Sequence, residues 1–332
     1  MQRRQVLVAL GALLSAGCLG AKRPDTATAG VRTEGRPRES TATPESTPEP
    51  TATPEPTPEP TATPEGPSDD AIEAGREAID RVQSELAATV EVYTGSEDGV
   101  LADVPVTSGG FDVRAVLVAL DTVQRELADA DTAAVTDDQR ETVADLRVAE
   151  QFLTQAALAH SYFVESVDRL DATRDAFSED VDAVEDAEGR FDATLQRGSR
   201  SVSTIKNDLA SDAVAVAEPF DDDTYETTVS AFESVRAVLK DASSGLDRMV
   251  QGLDELEDAR EEEDDGDDDD AEDSAEEALD LFDEAYDFFD EAADAWHDPD
   301  TDRDDLEETL ERLRDIADDR YLEAEDIHDD VS

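Results

Sequence analysis

Glu261, Glu263, Asp265 and Glu272 place carboxylate oxygens at positions one, three, five and twelve of an acidic stretch, with Gly266 at position six. A helix–loop–helix calcium site collects its ligands in that register, because a hard cation takes about six to eight oxygens and the loop needs a glycine at its sharp turn. Two positions depart from it. Position one is Glu261 rather than Asp, and position eight is Asp268 rather than an apolar residue. Any frame laid across so acidic a run gives partial matches, so a solvated acidic hinge near residues 261–274 is the preferred reading, with weak calcium or other cation binding as the sharper one. Asp298, Asp300, Asp302 and Asp304 alternate in a similar way. There Arg303 takes the glycine's place and Thr309 that of the bidentate glutamate.

Histidine offers a second chemistry. Glu325-x-x-His328 and Asp294-x-x-His297 have the spacing with which helical bundles hold two iron ions. Both pairs would have to converge. His297 closes the sixth predicted helix and His328 the seventh, and in an antiparallel hairpin such ends lie about 30 Å or more apart. His160 falls on the apolar stripe of the third predicted helix and reads as a packed or capped core histidine. The sequence holds no Gly-x-Ser-x-Gly, phosphate loop or His-Glu-x-x-His. No catalytic residue is assigned, and the chain is read as a non-enzyme without a cofactor.

Cys18 is the single cysteine, so no disulfide can form within the chain. Before it stand Arg3 and Arg4, an apolar run from Val6 to Leu14, and the small residues Ser15-Ala16-Gly17. The run is far short of the roughly 20 residues a membrane span needs. Leu14 to Cys18 resembles a lipobox, departing at Ser15, where leucine is usual in bacterial examples. Arg3-Arg4-Gln5-Val6-Leu7 resembles a twin-arginine (Tat) export signal, with an ordinary Sec signal as the alternative. These resemblances imply a signal peptide over 1–17 and a lipid on the Cys18 sulfur. They place the protein on the outer face of the cell membrane, anchored by that lipid.

Residues 18–67 read as a disordered linker. Thr41-Ala42-Thr43-Pro44-Glu45 recurs at Thr51 and at Thr61. Proline bars a helix there, and without large apolar side chains no core forms. An extended polyproline-like path would carry Ser40 to Pro67 across roughly 80 Å. Basic residues near Cys18, among them Lys22, Arg23 and Arg32, suit anionic headgroups or a merely soluble segment.

The formal net charge is −62, from 27 basic and 89 acidic residues. Such a surface repels phosphate, which disfavours nucleic acid as a partner. Either the chain is disordered or it lives in concentrated salt, where screening shrinks to about 3 Å at 1 M. Apolar residues at helical spacing favour salt over disorder. Lysine occurs only at Lys22, Lys206 and Lys240. With the signal and the spacer, this composition resembles haloarchaeal surface lipoproteins over residues 1–67. The resemblance names no family for the rest.

From Ser68 to the end, residues 68–332, apolar residues fall at spacings of three and four. Seven segments follow. They run from Ile72 to Tyr93, about Phe111 to Ala130, Thr136 to Phe177, Val181 to Leu209, Tyr225 to Leu256, Leu279 to Trp296, and Leu306 to Ala324. Ser68 or Asp69 and Thr136 suit N-caps. Val100-Leu101 and Val104-Pro105-Val106 are apolar enough to pack as a loop. No alternating β-branched run appears, so no sheet is expected. The fold class is all-α: an elongated antiparallel bundle of about six or seven helices with coiled-coil-like packing, either whole or split into two sub-bundles. The expected function is a cell-surface lipoprotein whose bundle binds another surface protein or serves as a scaffold. The alternative is an ion- or ligand-binding module of a transporter or sensor.

If high salt offsets the self-repulsion of this chain, removing NaCl will cost it helix. Circular dichroism from molar to millimolar NaCl should show one cooperative loss of helical signal; unchanged helicity refutes the halophile reading.

Overall fold

Side-chain caps start the helices where the sequence places them. In a computed structural model that describes residues 66–97, 99–106, 111–178, 181–217, 220–296 and 305–331, α1 spans Asp69–Thr94. Ser68 Oγ accepts the Ala71 N–H at 3.3 Å to open it, and Gly95 ends it at φ 72°. Asp112 opens α2, Val113–Ala133, by accepting the N–H groups of Arg114 and Ala115 at 3.1 Å. α3, Asp137–Ala176, opens on a reciprocal cap. Thr136 Oγ1 accepts the Gln139 N–H at 3.2 Å, and the Gln139 amide oxygen accepts the Thr136 N–H at 3.3 Å. α4 is Val181–Asp208 and α5 the single turn Ser211–Val214. α6 is Asp222–Asp265, capped by Asp221 and Thr224. α7 is Asp268–Trp296 and α8 is Asp305–Val331.

The seven expected helices are all present, and among the described residues there is no strand. Two elements lie inside stretches read as breaks: α5 and a 3₁₀ turn at Leu101–Asp103. Leu101 and Val106 of that segment are buried, as the apolar loop predicted.

Cross-helix bonds set the directions. Gln139 donates to the Ile72 carbonyl at 2.7 Å and the Tyr93 hydroxyl to the Ala156 carbonyl at 3.4 Å, so α1 and α3 run parallel. α2 runs back between them, tied by Arg81 to Glu126 at 3.1 Å and by Gln124 to Glu150 at 2.8 Å. Ser243 donates to Asp192 at 2.6 Å and Lys206 pairs with Glu233, which makes α4 and α6 antiparallel. Arg248 to Glu284 at 2.8 Å and Ser274 to Glu262 at 2.8 Å do the same for α6 and α7. Arg314 pairs with Asp290 at 2.9 Å across α7 and α8.

α3 has 40 residues and α6 has 44. At about 1.5 Å per residue they are roughly 60 and 66 Å long, longer than their partners. Each therefore serves two neighbourhoods. The first half of α3 packs with α1 and α2, and its second half meets α4 and the start of α8, where Thr309 donates to Asp171 at 3.2 Å. The first half of α6 packs on α4 and the 3₁₀ segment, and its second half packs on α7 and α8. One continuous core runs through both sets, with Phe152, Phe163, Phe191, Phe282 and Phe289 fully buried.

Glycine marks the closest helix contacts. A Cβ at Gly245 would stand 2.7 Å from the Phe289 ring, and one at Gly252 would stand 2.7 Å from the Phe282 ring. Both rings are fully buried and have no room to retreat. Gly245→Ala and Gly252→Ala should each cost about 1–3 kcal/mol through overpacking. Gly189→Ala, on an open helix surface with nothing within 4 Å, should gain up to about 1 kcal/mol. Urea midpoints in molar NaCl would show the contrast; equal shifts at the three sites would disprove the ring-in-groove packing.

Candidate functional site

A histidine and three aromatic rings converge at the middle of α3. His160 is fully buried. Phe111, at the entry to α2, stacks on its imidazole with centroids 4.1 Å apart. Tyr93, from the end of α1, meets both rings edge-on, and Phe232 of α6 meets the imidazole edge-on at 6.4 Å. The Tyr93 hydroxyl lies 3.3 Å from His160 Nδ1. Nε2 makes no hydrogen bond of ordinary geometry, although the Pro105 backbone carbonyl acts on the ring from the 3₁₀ segment. Burial pushes the imidazole down from its ordinary 6.5 to about 4, against the smaller upward pull of Pro105. Burial also drives the Tyr93 phenol far above its usual range. Both groups are neutral near pH 7. The expectation of a packed core histidine holds.

Beside this cluster lies a cavity of about 310 Å³. Thr228, Ala231, Phe232 and Val235 form one wall of it. They stand at i, i+3, i+4 and i+7 of α6, which is one helix face. The segment Leu101–Val106 forms the opposite wall, and Trp296, at the end of α7, closes one side. Asp103 and Ser234 are exposed at its rim. Thr228 Oγ1 is buried and has no hydrogen-bond partner. A second cavity, of about 440 Å³, lies against the other side of the segment and is lined by Val92, Tyr93, Val100 and Phe111. Asp103, Val104 and Pro105 border both spaces.

Two grooves are polar. Between α4 and α6, Glu188 is pushed up first by partial burial and then by the charges of Asp192 and Asp247. Between α3 and α8, Asp168 is pushed up by partial burial, then by Asp171 and Glu165. These are carboxylates crowded by like charges. Among the described residues no group of three or more His, Cys, Asp or Glu side chains is arranged to hold a metal ion.

The acidic stretch is not the twelve-residue loop that its register suggested. Glu261, Glu263 and Asp265 lie in the last turns of α6, all exposed, and Glu272 lies in α7. Only Gly266, at φ 80°, and Asp267 separate the helices. Successive helical residues turn by about 100°, so Glu263 points away from the face shared by Glu261 and Asp265. Helix persists to the turn because Ala259 and Ala271 are fully buried against the neighbouring helices. Glu272 Oε1 instead lies 4.0 Å from His328 Nε2. Asp294 is 22 residues further along α7 than Glu272, about 33 Å away, so the separation predicted for the His328 end holds. His297, the alternation from Asp298 to Asp304, Cys18, Arg3, Arg4 and the Thr/Pro/Glu repeat lie outside the described residues.

Sequence reasoning singled out His160 but missed Thr228, Phe232 and Trp296 as neighbours of one space. A hydroxyl at a stripe position, between Tyr225 and Phe232, was the available signal for Thr228. No protein-family model, curated protein or solved structure matches the chain.

The low pKa of His160 makes stability depend on pH. The folded chain holds the ring neutral, whereas the unfolded chain takes up a proton below about pH 6.5. This contribution is complete above pH 6.5 and is lost as pH falls through the window down to about 4. The full loss is on the order of 3 kcal/mol. Carboxylates raised in the folded state, such as Asp168 and Glu188, act in the opposite direction, so the histidine's share appears in a difference. Subtracting the urea-unfolding pH profile of His160→Leu from that of wild type should leave a slope between pH 6.5 and 4. A flat difference would show that the ring is not held neutral.

Proposed function

We propose that this chain is a non-enzymatic binding protein, displayed on the outer face of the cell membrane by a lipid on Cys18 and held off that surface by the Thr/Pro/Glu spacer. Its export signal includes Arg3 and Arg4. Its working part is the helical bundle. Of the two readings left open by the sequence, partner-binding scaffold or ligand-binding module, the cavity beside Phe232 favours the second. The observation that carries it is a mainly apolar space of about 310 Å³ walled by Leu101, Val106, Phe232, Val235 and Trp296, with Asp103 and Ser234 at its rim. Ligand sites combine apolar walls with a few placed polar groups in this way. A ligand-binding bundle on a tether suits a component that hands a molecule to, or senses it for, another surface protein.

Two measurements test the proposal. In detergent phase partitioning, wild type should follow the detergent and Cys18→Ser the water; identical partitioning removes the anchor. In molar NaCl, the protein would be equilibrated with a small-molecule extract of its own cells, washed and denatured. Wild type should release a compound that Ala231→Phe, which fills the cavity, retains at least tenfold less. Equal release from both, or none from either, removes the ligand site.

A further inference from the structure

Cations are scarce on this chain, and most of them meet a carboxylate, as Arg190 meets Asp186. Lys240 of α6 does not. Among the described residues its ammonium makes neither an ion pair nor a hydrogen bond. It lines a surface groove of about 600 Å³ between α4 and α6. The register across the groove is fixed at its middle, where Asp192 of α4 accepts from Ser243 of α6 at 2.6 Å and from Gln196 at 3.3 Å. The two helices are antiparallel. Glu188, four residues before Asp192, and Asp247, four after Ser243, therefore stand at one end. Ser199, Lys240 and Arg236 stand towards the other.

The two ends carry opposite charges that the bundle leaves unbalanced. Glu188 is half-buried and pushed up by that burial, then by Asp192, Asp247 and Glu185, with no cation to offset them. Neither Glu188 nor Asp247 has a hydrogen-bond or ion-pair partner among the described residues. These carboxylates are not arranged to hold a metal ion, and an ammonium group, whose three donors turn freely, suits them better. Towards the other end, α4 has no acidic residue from Ala193 to Asn207. Glu233 of α6 is shared by two cations, Lys206 and Arg236, which leaves Lys240 in surplus. In molar salt screening shrinks to about 3 Å, so only a group in direct contact gains from either end. A dianion would meet a chain of net charge −62, whereas a molecule with one charge of each sign matches both ends. Lys240 and Asp247 are seven residues apart on one face of α6, a rise of about 10 Å. We infer that this groove binds a zwitterion whose charges lie about 10 Å apart, its ammonium between Glu188 and Asp247 and its carboxylate at Lys240. The groove is separate from the cavity beside Phe232, and no residue lines both.

Triglycine is the probe, because three extended residues hold an ammonium and a carboxylate about 10 Å apart. Full-length protein in molar NaCl, titrated by calorimetry, should bind it saturably with a Kd no weaker than about 10 mM. Acetylating the amine, amidating the carboxylate or shortening the probe to glycine should each weaken binding about 3–10-fold, the worth of one half-exposed charged contact. Lys240→Gln should weaken triglycine by a similar factor and leave triglycinamide unchanged. Glu188→Gln should weaken triglycine and leave N-acetyltriglycine unchanged. Relieved of its like-charged neighbours, Glu188→Gln should also melt no lower than wild type. Ala231→Phe, which fills the separate cavity, should bind triglycine as wild type does, so this groove and the ligand reading above can fail independently. Absence of saturation, equal affinity for triglycine and either blocked form, equal loss of every probe in Lys240→Gln, or dependence on Ala231 overturns the inference.

Discussion

α3 and α6 touch where His160 and Phe163 of one helix meet Phe232 of the other, and the rest of the bundle is arranged around that contact. Each helix has an apolar stripe too long for any one partner. α1 and α2 cover the first part of the α3 stripe, and α7 and α8 cover the last part of the α6 stripe. Between those sets, α4, α5 and the 3₁₀ segment fill the angle. The junction needs bulk from several directions, and it receives rings from α1, from the entry to α2, from α3 and from α6. A neutral imidazole fits there because it offers a flat face to Phe111 and a ring nitrogen to Tyr93. Where this filling is incomplete, two cavities remain on either side of Leu101–Val106. The candidate site is therefore a product of the junction, not an addition to it.

The acidic surface sets the other constraint. A net charge of −62 opposes compaction, and the surface ion pairs among the described residues are too exposed to offset it. Most are local, such as Arg76 with Glu73 and Arg190 with Asp186. What opposes the repulsion is the continuous core, and the carboxylates that pay for compaction are the half-covered ones. Glu255 is pushed up by burial and then by Glu277 and Asp258, in the same way as Asp168 and Glu188. These positions lie in helix–helix grooves, where packing forces like charges together.

How much of this was legible depends on the range of the signal. Caps act over three or four residues, so Ser68 and Thr136 were readable in advance. Stripes act over a few turns, and all seven long helices followed from them. His160 was recognisable as a core residue because it shares a stripe with Leu153, Phe163 and Val167. The acidic register from Glu261 to Glu272, read as a hinge in preference to a calcium loop, is almost wholly helical, because ligand spacing and charge count positions and ignore backbone. The alanines Ala259 and Ala271, buried on each side of Gly266, keep both helices packed down to a two-residue turn. The α5 turn was missed because four residues show no period.

By itself the sequence determined the seven long helices, the capped starts at Ser68 and Thr136, the all-α class and the acidity of the surface. Each of these follows from interactions among residues a few positions apart or from composition alone. Only the tertiary structure decided which faces meet. Phe111 stacks on a residue 49 positions away in the chain. Thr228 and Trp296 line one cavity with Leu101 across more than a hundred residues. Periodicity tells a side chain to leave water and does not name the helix that receives it. Helix pairing settles that, with Gly198 of α4 admitting the ring of Phe163 from α3, and Gly245 and Gly252 of α6 admitting the rings of Phe289 and Phe282 from α7. The same packing leaves one threonine without a partner beside an unfilled space.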